Sequence, residues 1–134
     1  MIVADTNLLA YLLIPGLFTA HAKSVYLRDP HWAAPAFWRS ELRNVLSLYV
    51  RTMDMPLNLA VRLMRQAELL IGEREFQMDS EAVLATAAES GCTAYDCEFA
   101  VLARQLGVPL LTNDQRLRKA FPALAVSPRE YLRR

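Results

Sequence analysis

Residues 95–117, around which the rest of the chain is organised, read YDCEFAVLARQLGVPLLTNDQRL. Its first part carries apolar residues at helical spacing, which predicts a helix that Asp96 opens and Gly107 ends. The apolar run 108–112 then predicts a short strand buried on both faces, and a further helix begins near Asp114. The stretch therefore places one carboxylate at a helix start and another just beyond the carboxyl end of a strand. In open α/β sheets, ligands bind at that end.

Short apolar runs alternate with helical patterns along the rest of the chain. Further strands are predicted at residues 1–4, 32–34, 75–78 and 123–126. Helices are predicted at residues 8–13, 19–27, 36–52, 57–71, 81–90 and 115–120, followed by a short terminal helix. Pro35 is predicted to open the helix 36–52. The alternation predicts an α/β fold, with a central parallel sheet of four or five strands and helices on both sides. The length of 134 residues suits a single domain spanning 1–134.

The composition is that of a globular protein, with 54% apolar and 22% charged residues. No apolar run is long enough to span a bilayer, and Asp5 interrupts the amino terminus where a signal peptide needs apolar residues, so a cytoplasmic protein without membrane contact is predicted. The net charge of +1 provides no strong field for nucleic acid. Cys92 and Cys97 lack further ligands and are predicted to be small buried thiols, while His21 and His31 are predicted on the surface.

Four acidic residues stand out by their positions, and each has a simple structural alternative. Asp5 could end a strand in a turn, and Asp96 and Asp114 could be helix N-caps. Capping does not explain Glu41, which is predicted in the middle of a helix on an apolar line.

An ionised carboxylate on such a line is costly unless it is compensated. A buried arginine, Arg43 or Arg104, could pair with Glu41 instead of a ligand.

The four acids are more informative as a set, because their places relative to the strands allow them to gather at one edge of a parallel sheet. Four carboxylates in one pocket repel each other, and their pKa values rise unless a cation neutralises them. Oxygen ligands without His or Cys favour Mg²⁺ or Mn²⁺. Such an ion can lower the pKa of a bound water and neutralise charge on a phosphodiester.

These residues resemble the pattern of PIN-domain ribonucleases, in particular the VapC-type toxins of bacterial toxin–antitoxin pairs. The matching features are the run 5–7 (DTN), a Glu in the helix after the second strand, and the run LGVPLLT before the last acid. The resemblance implies a PIN-like three-layer α/β/α domain and an endoribonuclease. It also implies that one or two Mg²⁺ or Mn²⁺ ions are held by the four acids, which would be the catalytic residues: Asp5, Glu41, Asp96 and Asp114.

The resemblance extends to residues around the acids. Thr6, Asn7 and Thr112 would orient water or carboxylates. Arg116 and Arg118, just past the last acid, are candidates for phosphate contacts, although a solvated helix face explains them equally well.

The family also implies partners. An RNA substrate, a cognate antitoxin and a second copy of the chain in a homodimer are expected. Leu9, Tyr11 and Leu12 are candidates for an antitoxin groove on the first helix, and burial in the core is their alternative. Glu98 is a further acid for which the sequence suggests no role.

Other functions are compatible with parts of the pattern. A PIN-domain nuclease with a housekeeping role in RNA processing and a catalytically silent PIN-like binding module remain open. A phosphoacceptor domain is disfavoured, because no Lys lies near Val126 after the last strand. An Asp-x-Asp phosphatase is disfavoured because position 7 is Asn.

Overall fold

The computed structural model describes residues 1–134, and the chain forms five strands and eight helices. The strands are β1 (Ile2–Ala4), β2 (Trp32–Pro35), β3 (Glu75–Phe76), β4 (Leu110–Leu111) and β5 (Ala125–Val126). The helices are α1 (Thr6–Leu13), α2 (Thr19–Arg28), α3 (Trp38–Thr52), α4 (Leu57–Ile71), α5 (Ser80–Ser90), α6 (Ala94–Leu106), α7 (Gln115–Ala120) and α8 (Pro128–Leu132). No helix is both long enough and apolar enough to cross a membrane.

The strands form one parallel sheet in the order β3-β2-β1-β4-β5, which confirms the predicted sheet. β1 lies at the centre, and the register pairs Val3 with Leu110 and Ala4 with Leu111. The carboxyl ends of β1 and β4 therefore lie side by side. The chain proceeds from β1 towards β2 on one side and returns to β4 on the other, so this pair is the topological switch point where α/β proteins bind ligands.

The core consists of two layers because successive strand residues point to opposite faces of the sheet. Ile2 and Ala4 pack with α1 to α4, whereas Val3 between them packs with α5 to α7. β2 and β4 follow the same alternation, with Ala34 and Leu111 on the first face. The predicted arrangement of helices on both sides of the sheet is confirmed.

Several predicted boundaries were wrong for local reasons. Pro35 ends β2 instead of opening the next helix, and α3 begins at Trp38. α6 begins before Asp96, because the Thr93 hydroxyl caps it by accepting a hydrogen bond from the Asp96 N–H at 3.1 Å. The predicted strand 108–112 is reduced to β4, and β3 and β5 are also only two residues long.

Candidate active site

A cavity of about 210 Å³ lies at the carboxyl ends of the central strands, and we call it the acidic cavity. It is lined by Asp5, Thr6, Asn7, Glu41, Asn44, Val45, Asp96, Phe99, Asp114 and Leu117. Four of these ten residues are acidic and none is Lys or Arg. The fold thus brings together the four acids that the sequence singled out, from parts of the chain up to 109 positions apart.

Glu41 reaches the acidic cavity because α3 presents two different faces. Trp38, Leu42 and Leu46 recur every four residues and are buried in the core. Glu41 lies beside that row and is half-buried. The predicted apolar line of Phe37, Glu41, Val45 and Leu48 was wrong at its end, since Leu48 is 49% exposed. Glu41 also lies in the first turn of α3 and not in the middle of the helix, as the sequence had predicted.

The carboxylate of Glu41 is held by a hydroxyl group. Thr6 Oγ1 donates a hydrogen bond to Glu41 Oε1 at 2.6 Å. The two arginines considered as partners, Arg43 and Arg104, are exposed and form no ion pair with it. A structural ion pair therefore does not explain why a carboxylate occupies this position.

Asp114 has the capping role that the sequence offered as an alternative, and Asp5, for which a turn at the end of a strand was the alternative, is also a helix cap. Asp5 Oδ1 accepts a hydrogen bond from the Leu8 N–H at 2.8 Å and begins α1. Asp114 Oδ1 accepts from the Arg116 N–H at 2.8 Å and begins α7. Capping and membership of the cavity are compatible, because each cap uses Oδ1 and leaves Oδ2 without a backbone hydrogen bond. Oδ2 of Asp114 lies 3.7 Å from Arg116 Nη2.

Asp96 differs from these two residues because it is not a cap. It lies in the first turn of α6, is half-buried, and its carboxylate accepts no hydrogen bond from the protein. The capping alternative for Asp96 was therefore wrong. Carboxylates that are partly buried normally accept at least one hydrogen bond, so Asp96 lacks a partner that a ligand could supply.

Burial and mutual repulsion raise the pKa values of acids in this region. Burial raises the pKa of Asp5 to about 6, and the charges of Glu41 and Asp114 raise it further. The hydrogen bonds that Asp5 accepts lower its pKa and partly oppose this rise. Burial also raises the pKa of Glu41, with a further contribution from Asp96. The pKa of Glu98 is raised by burial and by the charge of Glu41, although Glu98 does not line the cavity.

The smaller polar residues predicted around the acids have distinct positions. Thr112 is fully buried, and its Oγ1 accepts a hydrogen bond from the Asp114 N–H at 3.0 Å. Asn7 is exposed and lines the cavity directly. Asn44, which was not among the predicted site residues, also lines the cavity. Its position three residues after Glu41 on the same helix was the available signal.

The two predicted arginines lie outside the acidic cavity. Arg116 has an 81% exposed side chain, with Nη2 3.7 Å from Asp114 Oδ2. Arg118 is turned towards Glu130, with 3.7 Å between Nη1 and Oε1. The two ion-pair distances are equal, but the Arg116 side chain remains largely exposed to a ligand, whereas the Arg118 side chain is only 27% exposed.

The residues of the acidic cavity fit a divalent cation by their chemistry. No three His, Cys, Asp or Glu side chains converge into a ready-made metal cage. The donors are nevertheless oxygen atoms only, no basic side chain lines the cavity, and burial opposes ionisation of Asp5. A hard cation such as Mg²⁺, which keeps several of its waters and binds through few carboxylates, matches this donor set.

Not all of the α1 residues that were candidates for an antitoxin groove are accessible at the surface. Leu9 is fully buried in the core, so its burial alternative holds. Tyr11 and Leu12 are half-buried. Tyr11 packs at 4.9 Å from Phe18 between ring centroids and lines a cavity next to the acidic one.

The fold and the acidic cavity define a class of protein, and sequence comparison identifies it. The chain belongs to the PIN-domain family, whose sequence model matches residues 2–121. PIN domains generally use divalent metal ions, and membership supports a nuclease activity for this chain. No curated protein sequence is similar enough to count as a relative.

Solved structures show the same fold at low sequence identity. PAE2754 from Pyrobaculum aerophilum is 21% identical with a TM-score of 0.77, over 98% of this chain and 85% of that one. FitAcB from Neisseria gonorrhoeae is 21% identical with a TM-score of 0.70, over 96% and 98%. A toxin–antitoxin complex from Klebsiella pneumoniae contains a chain that is 17% identical with a TM-score of 0.68, over 96% and 98%.

Proposed function

We propose that this chain, as a single domain spanning 1–134, is an endoribonuclease that depends on Mg²⁺ or Mn²⁺. The observation that carries the proposal is the acidic cavity at the switch point of the sheet, which is lined by four carboxylates and by no Lys or Arg. Such a concentration of negative charge destabilises a fold unless a ligand uses it. A cation-assisted reaction on a phosphodiester explains why the four acids lie together.

The ion would be held by Asp5, Glu41, Asp96 and Asp114. When bound, it would lower the pKa of a water and neutralise charge on the phosphodiester. The chain's own groups set the geometry, since the α1 cap fixes Asp5 and the Thr6 hydroxyl fixes Glu41. Thr112 holds the backbone of Asp114 in place.

Water is the nucleophile in this proposal, so cleavage gives a 5′-phosphate and a 3′-hydroxyl. Attack by the ribose 2′-OH commonly relies on a His base. His21 and His31 are both exposed and lie outside the acidic cavity. With a net charge of only +1, the chain is suited to an exposed loop or a single strand of RNA rather than to a long duplex.

The proposed biological role is that of the toxin of a toxin–antitoxin pair. One structural neighbour is a toxin–antitoxin complex, which supports a cognate antitoxin for this chain. The surface also supports protein partners, because α3 and α4 form an apolar groove lined by Leu46, Val50, Leu57, Ala60, Val61 and Met64. Exposed apolar grooves of this kind are typical of interfaces, and we propose a homodimer as well as the antitoxin.

The decisive experiment is cleavage of a structured RNA with Mn²⁺, followed by end-group analysis. Asp96→Asn and Asp114→Asn should abolish cleavage while the protein remains folded, because each removes a charged oxygen with little change in shape. Asp79→Asn is a matched control, since Asp79 is an exposed N-cap on α5 outside the cavity. Activity that survives EDTA, or products with 2′,3′-cyclic phosphates, would contradict the mechanism.

The toxin role needs a separate test. Induction of the wild-type chain should arrest growth, and induction of Asp114→Asn should not. A chain that cleaves RNA without arresting growth would favour a housekeeping nuclease. A wild type that neither cleaves RNA nor arrests growth would favour a catalytically silent binding module.

A further inference from the structure

A second cavity lies against the acidic one and has the opposite character. It measures about 440 Å³, and we call it the cationic cavity. Its lining combines the α5–α6 connection, residues 90–93, with Asp96, Arg116, Lys119 and Ala120. Asp96 lines both cavities. The two cavities therefore meet at Asp96, which alone among the four acids of the acidic cavity has a carboxylate that accepts no hydrogen bond from the protein.

The two cations of this cavity are available to a ligand. Lys119 is exposed and forms no ion pair, and the only acidic partner of Arg116 is Asp114 at 3.7 Å. Arg118, on the same helix, is instead engaged by Glu130. α7 thus aims two of its three basic side chains at one cavity, where they lie beside the acids.

The acidic cavity alone is a poor binding site for RNA. Its carboxylates repel every phosphate of an approaching strand, and the chain as a whole has a net charge of only +1. Affinity for a polyanion must therefore come from a local group of cations. The cationic cavity places two basic side chains in a recess directly beside Asp96, and its volume is in the range that accommodates a small ligand.

We propose that the cationic cavity binds the phosphate of a nucleotide adjacent to the bond that is cleaved, in a single-stranded RNA lying across Asp96. Arg116 and Lys119 contact this phosphate, while Thr93 and the residues beside it form the wall of the recess. The inference rests on the proposed nuclease function. It implies that the RNA strand extends from the four acids towards α7 and the α5–α6 connection.

The test measures binding of a fluorescein-labelled single-stranded RNA by fluorescence anisotropy in EDTA, which prevents metal-dependent cleavage. The double variant Arg116→Ala/Lys119→Ala should bind about tenfold more weakly than the wild type. The slope of the logarithm of the association constant against the logarithm of the salt concentration should become less steep by about 1.4, because two phosphate contacts on a single strand are lost. Arg116→Lys/Lys119→Arg keeps both charges and should restore most of the binding.

A matched control removes the same charge elsewhere. Lys23→Ala/Arg65→Ala also removes two exposed basic side chains, on α2 and α4, and neither residue lines a cavity near the acids. This control should bind as the wild type does. An equal loss in both double variants would show a general charge effect and overturn the proposal, as would unchanged binding by Arg116→Ala/Lys119→Ala or no measurable binding by the wild type.

The same proteins separate this inference from the nuclease assignment. If the wild type cleaves RNA with Mn²⁺ but the double variant binds normally, the phosphate site is refuted and the nuclease remains. If the wild type never cleaves RNA yet binding depends on Arg116 and Lys119, the nuclease assignment fails and the phosphate site stands.

Discussion

The charge of Asp5 should make the metal-free protein less stable at neutral pH than a variant that lacks this charge. Asp5 is buried, and burial together with the charges of Glu41 and Asp114 raises its pKa from the ordinary 3.8 to about 6. Asp5→Asn removes the charge and keeps the cap on α1, because Asn is as good an N-cap as Asp. We therefore expect Asp5→Asn to be more stable than the wild type in EDTA.

The size of the effect follows from proton linkage. The folded state binds the proton of Asp5 more tightly than the unfolded state, so the wild type loses stability as the pH rises from about 4 through about 6. Above the folded pKa the loss is complete and amounts to about 3 kcal/mol, at 1.36 kcal/mol per pKa unit. For 134 residues, this corresponds to a rise of roughly 10 °C in the melting temperature of Asp5→Asn.

Urea unfolding in EDTA at several pH values between about 3.5 and 8 measures this difference directly. The two proteins should have similar stability at the acidic end and diverge towards neutral pH. Asp79→Asn makes the same chemical change in an exposed cap that also accepts one N–H bond, and it should not gain stability. A wild type that is as stable as Asp5→Asn at pH 7.5, or a difference that is already complete at the acidic end, would refute the reasoning.

Three further outcomes are expected. Mg²⁺ or Mn²⁺ should raise the melting temperature of the wild type, since a ligand of the folded state stabilises it, and Asp5→Asn should show a smaller rise; equal shifts would place the ion elsewhere. Thr6→Val should remove the hydrogen bond to Glu41 and destabilise the protein by about 1–3 kcal/mol. In that variant the acid limb of the pH–activity profile should move to higher pH, because the hydroxyl lowers the pKa of Glu41; an unmoved limb would contradict a role for Glu41. Light scattering should show a dimer, and a monomer at all concentrations would count against the proposed assembly.

Local sequence patterns determined most of the secondary structure. Gly107 ends α6 in a left-handed conformation with φ of 67°, and Asp114 begins α7 as a cap. Apolar residues at successive strand positions predicted a sheet covered on both faces. These features depend on interactions within a few residues, which is why the sequence alone was sufficient for them. The errors, such as the helix start assigned to Pro35, occurred where a residue type suits two neighbouring elements.

Only the tertiary structure decided which polar residues meet. The sequence offered arginines as partners for Glu41, but the crossing of α1 and α3 places the Thr6 hydroxyl there instead. Arg116 and Arg118 looked equivalent in the sequence, but the folded chain leaves the Arg116 side chain exposed and covers most of the Arg118 side chain beside Glu130. The raised pKa of Asp5 likewise depends on desolvation by distant segments. Contacts between residues far apart in the chain depend on strand order and helix packing, which no local pattern encodes.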